Sequence, residues 1–337
     1  MKAVGYRASL PITKAEALID FDAPVLDPGP RDLRVSVRAV SVNPVDTKLR
    51  SGMAPPSGET RILGFDAAGV VESTGSMVTL FKPGDEVFYA GAIDRPGSNG
   101  ELHLVDERIV GRKPSSLSFP QAAAMPLTAI TAWELLFDRL GVPYGRKEKQ
   151  GELLVIGGAG GVGSILTQLA RRLTGLRVIA TASRPETIAW CREMGAHDVI
   201  DHRRPLDEAL GEIGLSNIPF IAALTGTEKH LPVLPKVIAP QGKLAVIDDP
   251  KVLDVMPFKR KCASVHWEYM FARPVFQTRD MIAQHLLLSE VSELVDAGVL
   301  RTTMTGNAGP IRAANLRSVH AAVESGRAIG KTVLSGF

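Results

Sequence analysis

The sequence predicts an α/β protein of two domains, one β-rich and one built on a doubly wound parallel sheet, and three observations carry this prediction. An apolar run, Leu153-Leu154-Val155-Ile156, passes through Gly157-Gly158-Ala159-Gly160-Gly161-Val162-Gly163 into a helical pattern. From Leu153 to Ile247 strand-like and helix-like stretches alternate, which implies parallel strands with helices on both faces. From Met1 to about Val110 the chain is instead turn-rich and strand-like. At 337 residues it exceeds what one hydrophobic core usually serves, so two domains are the default.

In the first region Leu33, Val35, Val37 and Ala39 alternate with Arg34, Ser36 and Arg38, the period of a strand with one wet face. Short strands are expected at Ala67 to Glu72 and Glu86 to Tyr89, separated by the turn signature Pro83-Gly84-Asp85. After Pro120 the period becomes helical, through Ala122, Ala123, Met125, Ile130, Trp133, Leu136 and Phe137, and a domain boundary is placed there.

Within the glycine run, Gly158, Gly160 and Gly163 satisfy G-x-G-x-x-G. The first glycine allows the tight turn, the second lets backbone approach a pyrophosphate, and the third lets helix and strand pack closely. The helix that follows carries Val162, Ile165, Leu166, Leu169, Ala170 and Leu173 at helical spacing, and its free N–H groups, those of Gly161 and Val162 included, are suited to phosphate. A flexible glycine turn is the bland alternative, and strand, glycines and helix in this order speak against it. Further strands are expected at Arg177 to Ala182, Val199-Ile200, Phe220 to Leu224 and Leu244 to Ile247, with a helix over Glu186 to Met194 stopped by Gly195. The last sixty residues include a helical run through Ile282 to Val295, and Gly330-Lys331-Thr332-Val333-Leu334 is a strand that can return to the N-terminal sheet.

Composition narrows the function classes. A net charge of +3 gives no reason to expect nucleic acid, and Arg146-Lys147 and Lys259-Arg260-Lys261 are expected in solvated loops. No apolar run reaches eighteen residues and no signal-peptide pattern opens the chain, so no membrane partner and a cytoplasmic location are expected. Two cysteines, Cys191 and Cys262, exclude a disulfide framework and suit a reducing compartment.

The order of parts resembles the medium-chain dehydrogenase/reductase superfamily, and within it the zinc-independent quinone oxidoreductase-like branch. The resemblance covers nearly the whole chain. It rests on Ser41-Val42-Asn43-Pro44-Val45-Asp46-Thr47-Lys48, Gly64-Phe65-Asp66-Ala67-Ala68-Gly69-Val70-Val71, Gly84-Asp85-Glu86-Val87, Ala122 to Trp133, Ala159 to Gly163, and Gly330 to Leu334. It implies a GroES-like catalytic domain over 1–127 and 275–337 and a Rossmann domain over 128–274, with a nicotinamide cofactor in the cleft between them and a homodimer joined along Rossmann sheet edges. Zinc members of the superfamily place a cysteine in the Asn43 to Asp46 stretch and Gly-His-Glu where this chain has Gly64-Phe65-Asp66. A catalytic zinc needs three ligands and an open position, and Asp66 alone cannot hold one. Tyr89 to Val105 also lacks the cysteines of a structural zinc lobe, and His197 and His202 have no third ligand nearby, so no metal is expected.

Rossmann proteins that select NAD carry an acid about 20 residues beyond the glycines, whereas an arginine there accommodates a 2′-phosphate. That count lands on Ser183-Arg184, and the first acid, Glu186, already belongs to the next helix start. The expected cofactor is therefore NADPH, with Arg184 as a solvated turn residue before Pro185 the competing account.

For the catalytic side the resemblance implies site roles for Asn43, which orients substrate or ribose, for Asp46 in its polar network, and for Thr131 behind the nicotinamide ring. Local turn chemistry is the other account of Asn43 and Asp46, and a buried helix threonine that of Thr131. Lys331 matches the family's Gly-Lys-x-Val-Leu and is placed with the cofactor residues, with a surface lysine at a strand start as its alternative. Where quinone-reducing relatives often carry tyrosines, this chain has Lys48 and Ala54. The segment Ser264 to Phe271 brings Trp267, His266 and Glu268 as either core or pocket.

The combined expectation is an NADPH-dependent, zinc-independent enzyme that moves hydride to a small-molecule quinone or α,β-unsaturated carbonyl. Without a metal, only an already activated acceptor can be served by hydrogen bonds. Interconversion of an alcohol and its carbonyl, or NADPH binding without turnover, are the other readings.

Overall fold

The computed structural model describes residues 1–337. The chain divides into two compact units, Met1–Ile130 with Phe271–Phe337, and Thr131–Met270, so the divisions fall at 130/131 and 270/271 where the sequence placed them at 127/128 and 274/275.

In the first unit the ten-residue strand Asp32–Ser41 is central to a seven-stranded sheet. It pairs antiparallel with Ala67–Thr74, Leu102–Asp106 and Lys331–Ser335. The alternation read from Leu33 to Ala39 sets its inner face: Leu33, Val35, Val37 and Ala39 are buried. Val333 lies opposite Ser41, so the C-terminal strand does return to the N-terminal sheet. This pairing brings Lys331, at the strand's first residue, alongside the loop after Ser41. Gly84 of the predicted turn sits at φ 92°, where a side chain is strained.

The second unit is a six-stranded, wholly parallel sheet. Its strands are β1 (Glu152–Ile156), β2 (Arg177–Thr181), β3 (Asp198–Ile200), β4 (Ile218–Ala223), β5 (Ile238–Val246) and β6 (Ser264–Trp267). They lie in the order β3-β2-β1-β4-β5-β6, which is the doubly wound Rossmann arrangement with the chain reversing direction beside β1. Helices cover both faces, which is why the central strands read as apolar runs rather than as alternation. Leu154, Ile156, Ile179, Ile221, Leu244 and Val246 share one fully enclosed core cluster. Each such side chain stabilises the fold by roughly 1.5–3 kcal/mol. Helix α1 (Gly161–Leu173) buries Ile165, Leu166, Leu169, Ala170 and Leu173, and α2 (Pro185–Glu193) ends before Gly195 at φ 110°.

Three elements differ from the sequence reading. Strand β5 begins at Ile238, not Leu244, because Pro240-Gln241-Gly242 looks like a turn; the structure absorbs it with a register shift between Ile218 and Phe220 and with Gln241 at φ 60°. The aromatic segment after Cys262 contributes the edge strand β6. The helical run after Pro120 breaks at Pro126, which cannot donate to the preceding turn, into Phe119–Ala123 and Pro126–Trp133. It then widens into a π-helical turn over Glu134–Arg139, where the Leu140 N–H donates five residues back to the Leu135 carbonyl.

Candidate active site

The glycine loop has the shape its spacing predicts. A Cβ on Gly163 would lie 2.4 Å from the Gly157 carbonyl oxygen, and one on Gly158 2.7 Å from the Ala180 Cβ, so both positions demand glycine for close packing. At Gly160 the nearest atom to an added Cβ is 3.6 Å away, so the outer side of the loop is open. The loop is pinned from below: the Gly157 N–H donates to Thr181 Oγ1 (3.0 Å) and the Gly158 N–H to the Thr181 carbonyl (3.1 Å). No side chain caps α1, and the first amide to bond back within it is that of Ser164, to Gly160 (2.9 Å). The Gly161 and Val162 amides therefore stand at a positive helix end beside an open glycine cradle, a donor set that fits a pyrophosphate. At the end of β2, Ser183 and Arg184 are half-buried, and Arg184 Nη1 is 3.2 Å from Glu186 Oε1.

In the first unit Asn43, Asp46 and Lys331 come together with residues the sequence reading did not assign. Asp66, fully enclosed, is the hub. Its Oδ2 accepts from Ser41 Oγ (2.8 Å) and Asn43 Nδ2 (2.7 Å), its Oδ1 accepts from the Leu127 N–H (2.8 Å), and Lys331 Nζ lies 3.1 Å from Oδ2. Lys331 Nζ also donates to the Val42 carbonyl (2.9 Å) and to Asn43 Oδ1. Beside this hub the Asp46 carboxylate accepts the N–H groups of Asn43 (2.8 Å) and Gly64 (3.0 Å), closing the start of helix Pro44–Gly52. Burial pushes the Asp46 carboxyl up to about 7, against the pull of the Asn43 N–H and the Lys331 ammonium. Burial lowers the Lys331 ammonium from its ordinary value, with Asp66 opposing that shift.

This geometry turns Asn43 and Lys331 inward. Asn43, expected to orient substrate or ribose, is 1% exposed, its Nδ2 directed to Asp66 and its Oδ1 to Lys331. Lys331, expected at the cofactor, is 4% exposed with its ammonium among Val42, Asn43 and Asp66. Both are drawn inward because the buried Asp66 carboxylate needs compensating donors. Asp46 caps the start of its helix through the Asn43 N–H, and Thr131 is buried on its helix. Asp66 could have been found from the sequence: an acid in a Gly-x-Asp stretch entering an apolar strand needs a buried cation, and Lys331 is in the strand that returns beside it. Of the segment after Cys262, Trp267 is 55% exposed whereas Glu268 is buried against Arg139. No three His, Cys, Asp or Glu side chains converge as a metal-binding set. No helix is long and apolar enough to cross a membrane.

Comparison with known proteins gives these parts a common frame. Residues 29–117 match the alcohol dehydrogenase GroES-like domain, and residues 161–273 match the zinc-binding dehydrogenase domain. A zinc-type alcohol dehydrogenase-like protein of Staphylococcus epidermidis is 37% identical over 337 residues, covering 99% of both chains. Two relatives match over part of the chain. A 2-methylene-furan-3-one reductase of Solanum lycopersicum is 39% identical over 50% of this chain and 44% of its own, and a quinone oxidoreductase of Pseudomonas aeruginosa is 40% identical over 52% of each. Among solved structures, a Rhizobium etli protein assigned to the zinc-dependent alcohol dehydrogenases superposes with a TM-score of 0.95 at 54% identity, covering 100% of this chain and 98% of that one. A mycobacterial protein crystallised with NADPH superposes at 0.83 with 25% identity, covering 99% and 100%.

Proposed function

Since the chain belongs to the zinc-type alcohol dehydrogenase-like proteins of the medium-chain dehydrogenase/reductase superfamily, in its quinone oxidoreductase-like branch, we propose that it is a zinc-independent, NADPH-dependent reductase of quinones or α,β-unsaturated carbonyls. The observation that carries this reading is the Lys331–Asp66–Asn43 cluster, which fills with an internal ion pair the stretches where zinc relatives hold their ligands. When bound, NADPH supplies the reducing equivalent as hydride. The chain's own residues bind and orient. The Gly161 and Val162 amides hold the pyrophosphate over the opening at Gly160, with Gly158 and Gly163 packing the loop closely beneath it, Ser183 and Arg184 take the 2′-phosphate, and Thr131 backs the nicotinamide side. Asn43, Asp46 and Lys331 act as positioning residues: they fix the loop between Ser41 and Pro44 and the start of helix Pro44–Gly52.

No metal-ligand set is available to polarise a saturated ketone, so acceptors that spread the developing charge over a conjugated system suit the site. Two partial relatives whose names specify an enone reductase and a quinone oxidoreductase support the same acceptor class. The proposal extends to a homodimer joined along the edges of the parallel sheet. NADPH oxidation followed with a panel of quinones and short enones, against NADP⁺ reduction with secondary alcohols, tests the chemistry. Quinone or enone turnover with negligible alcohol oxidation is expected; faster oxidation of alcohols than reduction of any quinone or enone would overturn it.

A further inference from the structure

A second buried ionic cluster lies in the Rossmann unit, and the proposed chemistry does not use it. Glu134 and Glu268 are both buried, and Arg139 Nε donates to Glu268 Oε2 at 2.8 Å while its Nη2 lies 3.8 Å from Glu134 Oε2. The π-helical turn makes this possible, because residues five apart stand about 140° apart on an α-helix, whereas the wider turn brings Glu134 and Arg139 onto one face. Two carboxylates and one guanidinium leave one negative charge in excess, and no N–H or O–H donor reaches Glu268 Oε1. A proton held between the carboxyls resolves both facts, as like charges this close do not both ionise readily. Burial, and then the Glu134 carboxylate, hold the Glu268 carboxyl far above its ordinary range, against Arg139. Of the charged or titratable groups on the neighbouring strands, Lys243 on β5 donates its Nζ to the Leu140 carbonyl (2.9 Å) and His266 on β6 is bonded to Ser264 (3.0 Å), so neither bonds the two carboxyls.

The cluster stands at a particular place on the sheet. Glu268 follows β6 directly, at the carboxyl rim where open α/β sheets bind ligands. A backbone chain runs along that rim: the Glu268 N–H donates to Val246 (3.0 Å), Ile247 to Ala223 (3.2 Å) and Leu224 to Ile156 (3.1 Å), the residue before the glycine loop. In this strand order β1–β3 form one mononucleotide half, with Arg184 at the end of β2, and β4–β6 form the other. Glu268 thus anchors the half that would receive the nicotinamide.

We propose that Glu134 and Glu268 share one proton and, clamped by Arg139, are positioning residues that fix the nicotinamide half of the rim, so that NADPH binding is linked to protonation of this pair. The inference rests on the cofactor reading above. Ionising the second carboxyl puts a further uncompensated charge beneath the rim and loosens the main chain at Glu268, so tight binding requires the protonated pair. Linkage then makes NADPH affinity fall about tenfold per pH unit above the pair's ionisation, and a neutral amide in place of either carboxyl abolishes the fall.

The test is NADPH and 2′,5′-ADP binding by calorimetry from pH 6.5 to 10, for the wild type, Glu268→Gln and Glu134→Gln. The expected result is an alkaline loss of NADPH affinity of tenfold or more in the wild type, flattened in the folded variants, and absent for 2′,5′-ADP, which lacks the nicotinamide half. An NADPH profile unchanged by both substitutions, or an equal loss for 2′,5′-ADP, overturns this inference alone. Absence of NADPH binding at every pH overturns the cofactor reading and this inference with it.

Discussion

Replacing Lys331 with methionine keeps most of the side chain's volume and removes only the ammonium. The Asp66 carboxylate would keep Ser41 Oγ, Asn43 Nδ2 and the Leu127 N–H, but it would be a fully enclosed charge with no cation. Breaking a buried pair from one side costs about 3–5 kcal/mol, because the remaining charge is uncompensated. For a unit of about two hundred residues each kcal/mol moves the melting temperature by about 2–4 °C, so the transition of the first unit should fall by roughly 6–20 °C. Asp66→Asn in the same chain removes the orphaned charge while keeping an amide in its place, so the double variant should recover a large part of the loss. Urea denaturation of wild type, both single variants and the double variant at pH 7 closes the cycle, with an expected coupling of about 2 kcal/mol or more. A Lys331→Met cost under about 1 kcal/mol with no coupling would refute the ion-paired hub, and with it the reason given for the inward turn of Asn43.

Three further outcomes follow from the same structure. Arg184→Ala should reduce the preference for NADPH over NADH by about tenfold or more, the worth of a charge-assisted bond to phosphate of about 1.5–3 kcal/mol, and Glu186→Gln, which frees Arg184 from its 3.2 Å partner, should sharpen it; equal cofactor affinities in the wild type, read by tryptophan fluorescence, would count against the site. Asp46, raised from 3.8 to about 7, keeps a proton that the unfolded chain has released, so its contribution is full below pH 4 and is lost as pH rises to 7. At about 1.36 kcal/mol per unit that is roughly 4 kcal/mol, and Asp46→Asn should gain on the wild type across this window in urea midpoints; a difference constant with pH would contradict it. Gly163→Ala drives a Cβ to 2.4 Å from a backbone oxygen and should destabilise the second unit by about 1–3 kcal/mol, whereas Gly160→Ala, with 3.6 Å of clearance, should leave the melting temperature in place and weaken NADPH binding, which calorimetry on the two variants separates.

What could be read from the sequence was local or periodic. The alternation at Leu33 to Ala39, the apolar runs of the parallel sheet and the glycine spacing each state their own geometry within a dozen residues, and the structure realises all three. The polar clusters were not legible in that way, because their members are far apart in the chain and each looked ordinary alone. Lys331 reads as a strand-start lysine until antiparallel pairing of its strand with Asp32–Ser41 sets it beside Val42 and Asp66. Glu134 and Arg139 read as opposite faces of one helix until the turn widens, and Glu268 joins them only because β6 is a strand. Both clusters are buried charges, and a buried charge fixes its neighbours strongly, since any rearrangement that separates it from its partner leaves an unsatisfied ion. In the first unit the ion pair joins the returning C-terminal strand to the loop after Ser41 and to the start of the helix at Pro126. A metal ion in that loop would impose similar order through its ligands. The buried pair orders the loop through the chain's own side chains. The pairing predicts that neither Asp66 nor Lys331 tolerates replacement alone.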